Sequence, residues 1–154
     1  MTRFNARNRS TATLDAPSHQ VWATLTDPET LVRLTPYLQA IDVDGDRWTW
    51  HLSGLPVPGS VVSPLFTEVM TLEPERRIGF VHDESRPQEQ AGVEGEYRIH
   101  PAGARTDVAI DIAIWVDLPL PRLARPAVEG VMSTVVAGMG LKFGQNLRRH
   151  LASG

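Results

Sequence analysis

Residues 105–121 read RTDVAIDIAIWVDLPLP, and this stretch decides the fold. Val108, Ile110, Ile112, Ile114 and Val116 fall on every second position, with Asp107, Asp111 and Asp117 on the alternate ones. That period of two gives a strand with one buried and one solvated face. Leu118-Pro119-Leu120-Pro121 cannot continue a ladder and ends it. Pro126 suits an early helical turn, and beyond it Val128, Met132, Val135, Met139, Phe143 and Leu147 recur at spacings of three and four. The stripe predicts a helix from about Pro126 to Leu151, nearly 40 Å long at roughly 1.5 Å per residue. Such a helix can lie across a whole small sheet.

Working back towards the N-terminus, the elements needed to build that sheet appear in order. Phe4 to Asp15 alternates and reads as a strand. Pro17-Ser18 breaks it, with Ser18 the cap of a short helix carrying Val21, Trp22 and Leu25. Asp27-Pro28-Glu29 opens a second short helix, which Pro36 stops. A meander follows: Leu38 to Val43, a turn at Asp44-Gly45-Asp46, then Arg47 to Ser53. Gly54 to Gly59, with Pro56 and Pro58, reads as a loop. Leu65 to Leu72 and Arg77 to His82 flank a hairpin at Glu73-Pro74-Glu75-Arg76. Asp83 to Gly92 is polar and forms a longer loop. Val93 to Ile99 and Arg105 to Val116 close the meander around Pro101-Ala102-Gly103. Short hairpin connections make the sheet antiparallel.

Composition sets the outer limits. The 154 residues fit one domain, residues 1–154, and a chain of this size buries roughly 70% of its unfolded surface. With 42% hydrophobic and 21% charged residues it is globular rather than disordered. The absence of cysteine excludes disulfides, thiol catalysis and thiolate metal sites. A net charge of -3 argues against a nucleic-acid partner. No segment reads as a secretory signal or an integral membrane span, so the expected location is cytoplasmic. His19, His51, His100 and His150 show no metal-ligand spacing, so neither a metal nor another cofactor is expected.

The order β-α-α-β6-α resembles the START-like (SRPBCC) superfamily. The residues that carry the resemblance are Ala16-Pro17 before Val21-Trp22, Leu25-Thr26-Asp27-Pro28 leading to Leu34-Thr35-Pro36, Pro74 to Ile78 with Phe80, and Gly95-Glu96-Tyr97 before Pro101-Ala102-Gly103. Leu118-Pro119-Leu120-Pro121 before the helix is similar to the bacterial polyketide cyclase/dehydrase-like group. The resemblance implies an α+β helix-grip fold, a seven-stranded curved antiparallel sheet wrapped around the C-terminal helix. It also implies a cavity between the two for a small apolar ligand.

The inward strand positions and the apolar stripe of the helix supply the residues expected to line that cavity: Trp48, Trp50, Phe66, Phe80, Tyr97, Met132, Val135, Met139 and Phe143. Large rings on one face suit a flat apolar ligand, or fill a core. Its mouth is expected near Gly54 to Pro64 and Asp83 to Gly92. Asn8 and Ser10 share the inward parity of the first strand. If Leu72 faces Ile78 across the hairpin, then Met70 faces Phe80 and Glu68 faces His82. An inward carboxylate beside an imidazole is a candidate catalytic acid–base pair, unless the register slips and both face water. Gly138 and Gly140 either leave room for a ligand beneath the helix or allow close packing.

Three function classes follow. The first is a binding or carrier protein for a hydrophobic or aromatic molecule, a lipid or polyketide-like metabolite. The second is an aromatase/cyclase-type enzyme using Glu68 and His82. The third is an interaction module without a ligand. A homodimer remains open.

Overall fold

The computed structural model describes residues 1–153. The chain opens with β1 (Thr2–Leu14) and two short helices, α1 (Ser18–Leu25) and α2 (Pro28–Leu34). Seven more strands of the meander come next: β2 (Leu38–Asp44), β3 (Arg47–Leu52), β4 (Leu55–Val57), β5 (Ser60–Val62), β6 (Leu65–Glu73), β7 (Arg77–His82) and β8 (Ala91–Ala102). Then β9 (Arg105–Leu118) and a 3-10 turn (Arg122–Ala124) lead into α3 (Arg125–Ser153) of 29 residues.

Seven strands make one antiparallel sheet in the order β1-β9-β8-β7-β6-β3-β2. The even positions of β9 face inward, as their alternation requires, and Val108 is 3% exposed. Its odd positions face water, where Asp117 pairs with Arg3 at 2.9 Å and Asp111 with Arg7 at 2.8 Å. Exposed pairs of this kind contribute up to about 1 kcal/mol each, so apolar burial and the ladder hold β1 to β9.

Three local readings need correction. Residues 54–59 are not a plain loop: Leu55–Val57 pairs with Ser60–Val62 as a separate two-stranded ribbon. A two-stranded ribbon has a free edge on each strand, so Pro56 sits there without costing a hydrogen bond, and Gly59 turns the chain at φ 75°. Ser18 does not cap α1. Pro17 holds the cap position, its carbonyl accepting from the backbone N–H groups of Gln20 and Val21, while the Ser18 hydroxyl donates to Glu75 Oε1 at 2.7 Å. The strand before Pro101 begins at Ala91 rather than Val93 because it runs on along β9 to the pair Ala91↔Val116.

The helix is held at its two ends. Near its start Val128 and Met132 pack with Phe4, Ala6 and Leu118. Near its end Leu147 and Leu151 join Leu14, Val21 and Leu25. Between these two anchors the middle of α3 crosses the inner face of the sheet.

Candidate ligand-binding cavity

That crossing leaves a cavity of about 200 Å³. Alternation along each strand decides what it meets: Trp48, Trp50 and Leu52 from β3, Phe66, Glu68 and Met70 from β6, Ile78 and Phe80 from β7. β8 adds Val93 and Tyr97, β9 adds Ile110, Ile112 and Ile114, and β1 adds Asn8 and Ser10. Val136, Met139, Gly140 and Phe143 cover it from α3, with Leu25 and Leu31 from the short helices. No Arg, Lys or His lies among these lining residues.

The aromatic side chains are arranged in pairs. Trp50 stacks on Phe66 with ring centroids 6.2 Å apart and planes within 9°, and Trp48 lies 6.4 Å from Trp50. Phe80 meets Tyr97 edge to face at 5.9 Å. Such pairs add about 0.5–1.5 kcal/mol each beyond burial and fix the ring positions. The wall is therefore preformed.

Glu68 is the one charged-type side chain in it. It is 3% exposed, and its Oε2 has no hydrogen-bond partner. The Trp50 indole nitrogen is likewise buried and unpartnered. Burial pushes the Glu68 carboxyl well above its ordinary value, and the nearby Trp50 N–H opposes that only in part. The two groups are close enough to interact, yet no hydrogen bond of ordinary geometry joins them. Tyr97 keeps some accessible surface, but the chain around it removes enough water to push its hydroxyl up to about 12, with the Glu68 charge adding to the rise.

His82 does not join Glu68. The ladder does pair their Cα atoms, in the register the hairpin dictates. The imidazole, however, packs edge-on against Trp115 at 5.1 Å, and its Nδ1 lies 4.0 Å from Glu89 Oε1. Trp115 alternates with the cavity-lining Ile114, so it belongs to the other face of the sheet, where the Arg3 guanidinium stacks on it at 3.6 Å. The ladder between β7 and β8 ends at Phe80↔Gly95, and His82 lies beyond that last rung. On its β8 side His82 is therefore unpaired, and its imidazole is seated by Trp115 and Glu89. The acid–base pair is thus not assembled.

Met132 and Val135 are also placed outside the cavity. Met132 belongs to the apolar cluster at the start of α3, and the next lining position is Val136, four residues beyond Met132 and one beyond Val135. A period of 3.6 admits either a step of three or of four, and the helix takes four here. Gly138 and Gly140 are both exposed, but Gly138 has open space around it, whereas Gly140 borders the cavity, where an added Cβ would lie 3.3 Å from Asn8 Nδ2. None of residues 54–64 or 83–92 lines the cavity. Residues 83–90 are tied down instead: Glu89 accepts from the Thr67 backbone N–H and hydroxyl, both at 2.7 Å, and Asp83 accepts from Arg47 Nε at 2.9 Å. Sequence reasoning missed this tether, because polar loop residues give no periodic signal.

Among the described residues no group of His, Asp or Glu is placed to hold a metal ion.

The sequence profile of the polyketide cyclase/dehydrase and lipid transport family matches residues 6–152. The chain belongs to that family. No curated protein matches it in sequence. Solved structures share the helix-grip fold of the family at low identity. A START superfamily protein from Mycobacterium smegmatis is 14% identical, with 96% of this chain and 97% of that one covered at a TM-score of 0.70. A conserved protein from Geobacillus kaustophilus is 13% identical over 96% and 95%, with a TM-score of 0.72. The Zhui aromatase/cyclase from Streptomyces sp. R1128 is 20% identical over 97% and 98%, with a TM-score of 0.65. At these identities the likeness is one of fold.

Proposed function

We propose that this family member binds and carries a small, neutral, hydrophobic or aromatic molecule, such as a polyketide-like metabolite or a lipid fragment, through the cytoplasm. The observation that carries the reading is the cavity itself: apolar, aromatic-walled and without a cationic side chain. A dry apolar cavity of roughly 150 Å³ accommodates a benzene ring, so one of about 200 Å³ suits a ligand portion of one or two rings. A carboxylate or phosphate group inside would meet Glu68 and no counter-charge, which disfavours a free fatty acid seated head inward. Burying the apolar area of two fused rings stabilises the complex at about 25 cal/mol per Å² before association costs. Native mass spectrometry of the purified protein should find a small neutral molecule that departs on mild denaturation. A protein that neither retains nor takes up any apolar compound contradicts the reading.

A second reading, an aromatase/cyclase-type enzyme, is favoured by the buried Glu68 carboxyl in the cavity wall. With His82 outside the cavity, Glu68 alone would exchange protons with a bound chain. On that reading Glu68→Gln abolishes turnover of a poly-ketone substrate while apolar binding persists.

A further inference from the structure

A neutral cavity wall with two unsatisfied polar atoms asks for a partner. Glu68 Oε2 and Trp50 Nε1 are both buried, both without a hydrogen bond, and both side chains line the same cavity. Their strands are adjacent: Trp48 pairs with Glu68 and Trp50 with Phe66, so Trp50 is the diagonal neighbour of Glu68, within reach of a long aromatic side chain. A buried polar group left unpaired costs on the order of 1–3 kcal/mol, and two of them side by side are rarely kept without a reason.

We propose that the Glu68 carboxylic acid and the Trp50 indole N–H together form a two-donor recognition point for the carbonyl oxygen of a flat, otherwise apolar ligand. The inference rests on the binding role above and names the ligand's polar group. Indole is a donor only, so the group that meets it must accept. A second donor completes the pair when the carboxyl carries its proton, the state that burial favours. A carbonyl oxygen has two lone pairs and accepts both bonds. A cationic amine fits less well, because the Trp50 N–H would oppose it.

Other titratable groups do not alter this assignment. Tyr97 on β8 faces the same cavity and stays neutral at usable pH. His82 on β7 is turned towards Trp115 and Glu89. The lining side chains of β3, β9, α1, α2 and α3 carry no charge, and β1 contributes the neutral Asn8 and Ser10.

The test compares three naphthalenes of similar shape: 2-acetylnaphthalene, its hydrocarbon analogue 2-isopropenylnaphthalene, and 1-(2-naphthyl)ethylamine. Calorimetric titration at pH 6 into the native protein should give roughly tenfold tighter binding of the ketone than of the hydrocarbon, as one or two neutral hydrogen bonds supply. Trp50→Phe and Glu68→Leu should each erase that preference for ketone over hydrocarbon, with the native far-UV circular dichroism certifying that each variant is folded. Glu68→Gln, whose amide still donates, should keep it. The ¹³C=O stretch of bound ketone should move to lower wavenumber in the native protein and return in the Leu variant. Equal binding of ketone and hydrocarbon overturns the two-donor assignment and leaves the carrier reading standing. Tightest binding of the amine, abolished in Glu68→Gln, shows an ionised carboxylate at work and overturns it too. Binding of none of the three contradicts the carrier reading and removes the inference with it.

Discussion

Glu68 is a carboxyl taken out of water with no cation within ion-pair distance, and its titration should be visible in stability. Its folded value lies well above the ordinary 4.5. Below about 4.5 both folded and unfolded chains hold the proton and no penalty arises. As pH rises past that point the unfolded chain ionises first, so the native state loses stability until the raised folded value is passed. The slope of this one group is at most about 1.4 kcal/mol per pH unit. Urea midpoints of native protein and Glu68→Gln between pH 5 and 8 should therefore diverge, the variant staying flatter; parallel curves would contradict the burial. Asp83 works in the opposite sense. Hydrogen bonds from Ser85 hold its carboxyl down at about 2, with Arg47 assisting, so its contribution is present above 3.8 and disappears as pH falls through about 2. Asp83→Asn should thus flatten the acid limb of the same measurement. At this scale the sequence was legible in part. Parity and the Pro74-Glu75 turn predicted the Glu68↔His82 rung, but not the direction of a side chain beyond the last β7–β8 rung, which depends on Glu89 in the following loop and on Trp115 far along the chain.

Two kinds of glycine separate at the level of the elements. Gly95 lies where β8 crosses closest to β9: an added Cβ would sit 2.0 Å from the Asp111 carbonyl oxygen, at a φ of 157° that side chains rarely adopt. Gly95→Ala should cost several kcal/mol or prevent folding, because the obstacle is backbone and cannot step aside. The α3 glycines are different. Gly130 and Gly138 face open space, so alanine there should raise stability by roughly 0.5–1 kcal/mol each through helix propensity. Thermal denaturation of Gly138→Ala, with a rise of about 2–4 °C, checks this. The long helix was readable from its stripe, and its ends fell within two residues of expectation, Arg125 and Ser153 against Pro126 and Leu151. The choice of Val136 over Val135 was not readable, since it is set by how both helix ends are anchored rather than by the stripe itself. The β4–β5 ribbon escaped for the opposite reason: Pro56 and Pro58 argue against a strand in a sheet interior, and this ribbon has no interior.

For the molecule as a whole, the design is a helix anchored at both ends over a curved sheet, with a cavity left beneath part of its middle. Local patterning predicted sheet, helix and their order because each apolar face must be covered by another. It could not measure the space left between them, which depends on the curvature of seven strands together. Among the described residues no helix is long and apolar enough to cross a membrane. What remains is a cavity whose roof is α3 at Val136, Met139, Gly140 and Phe143. The most direct test places one bulky side chain in that roof and the same side chain just outside it. Titration with an apolar fluorescent probe should show Gly140→Leu losing most of its binding, at least tenfold, while Gly138→Leu binds as the native protein does and both keep the native far-UV circular dichroism. Equal probe binding by the two variants would contradict a ligand site beneath the helix.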